Sequence, residues 1–274
     1  EVVEKKKKNC SISSSSSKRD GVCEIIVITQ AATTSHPKHT HPQQLNKTMA
    51  LLNIGSAMVL FIALTTGGCL HHLHYTINTP LVLSLLFFNN LNILIALCEI
   101  CLGLHILRIK DDYAKLLTKY KGNEFGAAVA FLTKPLGVTE LLDGEVWSGM
   151  WSTYALYDPS YQNHESFGFF IDFGNGMSTI PPSILINLAI VYPTKLSPLI
   201  VGCVGIAMYW QVMYGTIIYL LSFCFNRRYE GRGFWELTLF VGFSNLLWFF
   251  FPIVGIYASY CMLRDGNMSV FGQV

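Results

Sequence analysis

Two carboxyl residues, Glu99 and Asp172, and one indole, Trp248, stand inside long apolar runs of this chain. A carboxyl group enclosed in a bilayer can hold or pass a proton. An indole face attracts a cation, by about 2 kcal/mol or more once desolvated. The spacing of their neighbours adds weight. Asn89, Asn92, Ala96, Glu99 and Gly103 recur at steps of three and four, which is one polar stripe on a helix. Asp172, Asn175, Thr179 and Pro182 share a second face, and Gln211, Tyr214, Gly215, Ile218 and Ser222 a third. Val241, Asn245, Trp248 and Pro252 form a fourth. A polar side chain in a lipid-embedded helix needs a partner or a purpose. Either these residues glue helices together, or their faces wall an intramembrane cavity on which Glu99, Asp172, Tyr214, Asn245 and Trp248 converge.

The elements that must carry those faces follow from composition. The chain has 274 residues, 51 % apolar and only 13 % charged, with a net charge of +2 and a mean hydropathy of +0.41. Soluble domains carry about 25 % charged residues, so an all-α integral membrane protein is predicted. Spans are expected at Leu51–Leu70 (or a signal sequence there), Leu81–Leu107, Phe167–Tyr192, Leu196–Phe225 and Phe234–Leu263. Pro181-Pro182 should kink the third. Residues 1–48 hold Lys5 to Lys8, Ser13 to Ser17 and a His/Pro/Gln-rich piece, a disordered composition or an upstream targeting segment. Residues 49–80 hold the first span and a linker, 81–263 the main transmembrane domain, and 264–274 a C-terminal tail. Within that domain 108–166 reads as a connection with one or two short interfacial helices and a belt of Trp147, Trp151, Tyr154 and Tyr161.

Two motifs carry less than they suggest. Cys98-Glu-Ile-Cys101 has redox spacing but lies mid-span, where cysteines act as small buried hydrophobes. His71, His72 and His74 lack a nearby acidic ligand and read as an interfacial loop. No basic, aromatic-interleaved surface suits nucleic acid. Charge also sets orientation. Six Lys/Arg lie between Arg108 and Lys134 and three between Arg227 and Arg232, against Lys195 and Arg264 on the other side. The two basic loops should therefore share one side, the cytosol or its organellar equivalent.

Five pieces of the chain carry a resemblance. Trp151-Ser-Thr-Tyr154-Ala-Leu-Tyr-Asp158-Pro-Ser-Tyr161 looks like a Trp-x-x-Tyr-Ala-x-x-Asp-x-x-Tyr motif, and Asp172 stands fourteen residues after Asp158. Pro181, the run Gln211 to Tyr219, and Asn245-Leu-Leu-Trp248-Phe-Phe-Phe-Pro252 complete the pattern. Over about residues 83–263 the chain resembles the emopamil-binding protein (EXPERA-type) family of sterol 8,7-isomerase-like membrane proteins. The resemblance implies a four-helix transmembrane core, here with one extra N-terminal helix. It also implies a carbocation reaction that shifts a ring double bond without metal or organic cofactor. Glu99 and Asp172 would transfer protons and Trp248 would stabilise the cation. Asn92, Tyr154, Asp158, Gln211, Tyr214 and Asn245 would bind and orient.

The chain departs from the family at two places. Thr153 stands where the isomerases have a Glu, and Ile95 where a His precedes the second-span Glu. A degenerate catalytic set is the consequence. Two function classes remain: a binder or weak isomerase of sterols or other lipid-like ligands, or an accessory subunit of a larger membrane complex that holds lipid or pigment. The endoplasmic reticulum is the expected membrane, with a plastid or another organelle as the alternative.

Overall fold

The computed structural model describes residues 52–73, 77 and 79–272. The reading of residues 1–48 and of His74 lies outside them. Eight helices account for nearly all of the described chain: α1 (Ile54–His71), α2 (Thr79–Leu104), α3 (Ile106–Lys119), α4 (Glu124–Leu132), α5 (Gly144–Tyr154), α6 (Phe167–Val191), α7 (Pro198–Phe225) and α8 (Phe234–Asp265). The only β pairing among the described residues joins Leu52–Asn53 to Pro135–Leu136, antiparallel. The chain is an all-α integral membrane protein. Four of its helices, α1, α2, α7 and α8, are long and apolar enough to cross a bilayer.

Helix α6 has the length, 25 residues, but not the average hydropathy of the other four. Its prolines, Asn175, Ser178, Thr179, Ser183 and Asn187 lower that average, and its environment explains why they are tolerated. It packs against α2 more extensively than any helix except α7 against α8 packs on its partner. Gly176 permits the approach, because a Cβ there would lie 2.8–2.9 Å from Glu99 Cβ, Ala96 O and Ile100 N of α2. Helical structure continues through Pro181 and Pro182 to Val191.

Three expected boundaries move. The second span stops at Leu104 rather than Leu107, and the chain resumes after His105 as the amphipathic helix α3. The connection holds three helices, α3, α4 and α5, with two 3₁₀ turns, where one or two short helices were expected. Within the expected tail, the described residues pack back on the bundle: Met268 and Phe271 are buried in the core. Side-chain caps start four of the helices. Asn53 and Ser56 form a reciprocal capping box on α1, Asn123 caps α4, Asp143 caps α5 and Ser166 caps α6. Helix α8 is α-helical at both ends and π-helical over Leu237–Phe243.

A chain of side-chain amides ties the spans together. Asn89 Nδ2 donates to Asn187 Oδ1 at 3.0 Å, and Asn187 Nδ2 donates to Asn90 Oδ1 at 3.0 Å. Tyr209 Oη donates to Asn89 Oδ1 at 2.8 Å, and Asn90 Nδ2 to Thr66 Oγ1 of α1 at 3.1 Å. In an apolar bundle each such bond contributes about 0.6–2 kcal/mol. Below this layer the two basic loops meet at one end of the bundle. Arg228 Nη1 lies 3.0 Å from Asp158 Oδ2, and Arg232 Nη1 3.8 Å from Glu124 Oε1.

Candidate functional site

A cavity of about 190 Å³ lies between α2, α5, α6, α7 and α8. Helix α2 contributes Ile95 and, one turn on, Glu99 of the stripe read from the sequence. Helix α6 contributes Asp172 and, one turn on, Asn175. The first turns of α8 after the π segment contribute Ser244, Asn245 and Trp248. A π-helical turn adds a residue to the usual spacing and so rotates the rest of its helix about the axis. Here it precedes the residues that turn toward the cavity.

Neighbours hold both indoles and the tyrosines of the cavity wall. Trp248 Nε1 donates to Asn92 Oδ1 at 3.0 Å, and Asn92 Nδ2 donates to Ser183 Oγ at 3.2 Å. Asn92 is buried behind the indole, so it orients Trp248. Trp151 Nε1 donates to the Cys98 carbonyl of α2 at 2.7 Å, which clamps α5 beside Glu99. The Trp151 and Tyr161 rings stack at 5.1 Å, and Tyr154 meets Tyr161 edge-on at 5.0 Å. The Tyr154 and Tyr219 hydroxyls are 3.2 Å apart. Tyr161, Asp172, Tyr154 and Asn245 all line the same cavity. Burial pushes the Tyr154 and Tyr161 phenols well above their ordinary range, which keeps both as hydrogen-bond donors. Glu99 and Asp172 are close enough for their charges to interact.

The structure brings together Glu99, Asp172, Trp248, Asn245 and Tyr154 on this one cavity. Four residues expected there sit elsewhere, the first being Asn92, which stands behind Trp248 and does not line the cavity. Tyr214 is 49 % exposed on the outer face of α7, stacked on Trp210 at 5.9 Å. Gln211 also faces outward and bridges to α6, donating to Asn175 Oδ1 at 3.0 Å and Ser178 Oγ at 2.7 Å. Both placements result from the rotation of α7, which presents Gly215, Thr216 and Tyr219 to the cavity instead. Asp158 is fully buried, but in the ion pair with Arg228, and its other oxygen accepts from Ser160 N. It braces the turn that carries Tyr161.

Tyr161, Tyr219 and Asn175 line the cavity beside the residues singled out from the sequence. Asn175 was legible, one helical step from Asp172. Tyr219 was not, since α7 carries a second polar face through Gln211 and Tyr214 that reads equally well. At the two departures from the isomerase pattern, Ile95 presents an aliphatic side chain to the cavity, and Thr153 turns away, its hydroxyl donating to the Gly149 carbonyl at 2.8 Å. Cys98 and Cys101 are free thiols, and no group of metal-binding side chains occurs among the described residues. In comparisons with known proteins, no family model, curated protein or solved structure matches the chain.

Proposed function

We propose that this integral membrane protein binds a sterol or other lipid-like ligand, entering its intramembrane cavity by the end that carries positive or developing positive charge. The convergence of Glu99 and Asp172 with the Trp248, Trp151 and Tyr161 rings carries this reading. Two carboxyl groups and a set of π faces suit a cation, whether an ammonium or a carbocation. The volume sets a limit. Pockets that enclose a whole drug-sized ligand span about 300–1,000 Å³, and this one holds about 190 Å³. A sterol would thus place one end in the cavity and leave the remainder among the spans or in lipid.

Binding with little turnover is favoured over efficient double-bond isomerisation. Ile95 offers no proton, and Thr153 is turned back on its own helix. Glu99 and Asp172 would be the acid and base, with Trp248 on the cation. The test is equilibrium binding of a fluorescent sterol and of an amine-bearing sterol analogue to the full chain in phosphatidylcholine nanodiscs. Glu99→Gln and Asp172→Asn should each weaken the amine by about 10- to 150-fold, the worth of a hydrogen bond to a charged group. Tyr214→Phe should leave it unchanged. Equal affinity in all three variants would overturn the proposal.

A further inference from the structure

A second hollow, a groove of about 440 Å³, lies between α1, α2 and α6 on the far side of the asparagine network. It runs from Phe61, in the middle of α1, to His72 just past its end, where Tyr192 follows α6. Those eleven steps of helix measure about 16 Å, roughly half of a 30 Å hydrocarbon core. The groove is therefore one leaflet deep. His72 and Tyr192 stand at the outer end; farther in, the Thr65 hydroxyl is bonded back to the Phe61 carbonyl at 2.7 Å, Cys69 adds a thiol, and Leu64, Ile93, Ile184 and Leu188 are aliphatic. Asn90 and Asn187 back it, but their amides are bonded to each other and to Thr66 and Asn89. A water file in such a groove would lack the two to four partners that hold buried water.

Gly68 decides what kind of occupant fits. Small residues in membrane helices ordinarily let a second helix approach. A Cβ at Gly68 would meet no atom within 4 Å, so this glycine leaves space where no helix has come close. A helix about 16 Å long and 10 Å across would need roughly 1,250 Å³, far more than the groove holds. Spread along its length, the groove is one hydrocarbon chain wide.

We infer that the groove between α1, α2 and α6 holds one acyl chain of a phospholipid from the leaflet at the C-terminal end of α1, with the headgroup beside His72 and Tyr192. This lipid is a structural partner, separate from the ligand of the Glu99 cavity. It fills the gap that α1 leaves against α2 and α6, and so holds α1 to the bundle.

The test places the full chain in phosphatidylcholine vesicles containing a trace of phosphatidylcholine with a diazirine at mid-chain. After photolysis, the cross-linked residues are mapped by mass spectrometry. Labelling should concentrate on Leu64, Ile93, Ile184 and Leu188. Gly68→Phe and Leu188→Trp, which fill the groove from opposite walls, should each reduce it to the level of the ordinary outward-facing residues, because the added ring takes the space the chain would occupy. Labelling of the outward Phe250 and Ile253 serves as the folding control and should not change. Unchanged groove labelling in both variants, or label spread evenly over all outward faces, would overturn the inference.

Discussion

Replacing Arg228 by Met should destabilise the protein more than any other single change in its loops. Asp158 is completely buried and Arg228 only 20 % exposed, with their charged atoms 3.0 Å apart. Arg228 also donates to Ser222 Oγ at 3.2 Å, so the pair ties the end of α7 to the turn before α6. Met keeps most of the aliphatic volume but leaves the Asp158 carboxylate without a counter-charge. Breaking a buried pair from one side costs about 3–5 kcal/mol, because the remaining charge is stranded. For a domain of this size, 1 kcal/mol corresponds to about 2–4 °C, so the transition should fall by roughly 6–20 °C. Asp158→Asn combined with Arg228→Met should recover much of the loss, since no charge is then left buried. The assay is thermal unfolding of the detergent-purified protein, for the wild type, both single variants and the double variant. A transition in Arg228→Met within about 2 °C of wild type, or double-variant losses equal to the sum of the singles, would refute the reasoning.

Asn187→Leu should lower the transition by breaking two bonds of the amide network, at about 0.6–2 kcal/mol each; an unchanged melting temperature would mean the network contributes nothing. Gly176→Ala pushes a methyl into α2 beside Glu99 and should cost about 1–3 kcal/mol by overpacking. It should also weaken ligand binding, whereas Gly174→Ala, where a Cβ meets nothing within 4 Å, should do neither. Residues 49–274 expressed in an isomerase-deficient yeast strain should restore little Δ7-sterol. Each missing proton-transfer group costs about 10²–10⁴-fold, and Δ7-sterol near the level of an active isomerase would show that Glu99, Asp172 and Trp248 suffice.

The sequence carried the spans and most of the polar faces because lipid forces each buried polar group to declare itself at helical spacing. The α2 stripe from Asn89 to Gly103 and the Asn245–Trp248 face of α8 were legible for that reason. The direction of α7 was not. Its Gln211 and Tyr214 are as polar as Thr216 and Tyr219, and only packing against α6 and α8 decides which pair faces in. Asn90 and Asn187 were missed because each lies off its helix's obvious stripe, and their meaning appears only once Thr66 of α1 and Asn89 are beside them. The π segment was invisible for another reason: Leu237–Phe243 is ordinary apolar sequence, and its wider turn is a product of tertiary packing. Asp158 shows the reverse error. A buried acid near aromatic residues suggested ligand contact, yet Arg228, seventy residues on, was its partner.

The location of bound ligand tests the central claim most directly. Density for the full chain saturated with an amine-bearing sterol analogue should show the amine between Glu99 and Asp172, within cation–π distance of Trp248, and the ring system extending outward past Ile95. An empty cavity at saturation, or ligand seated only on the outward faces of α7 and α8, would contradict it.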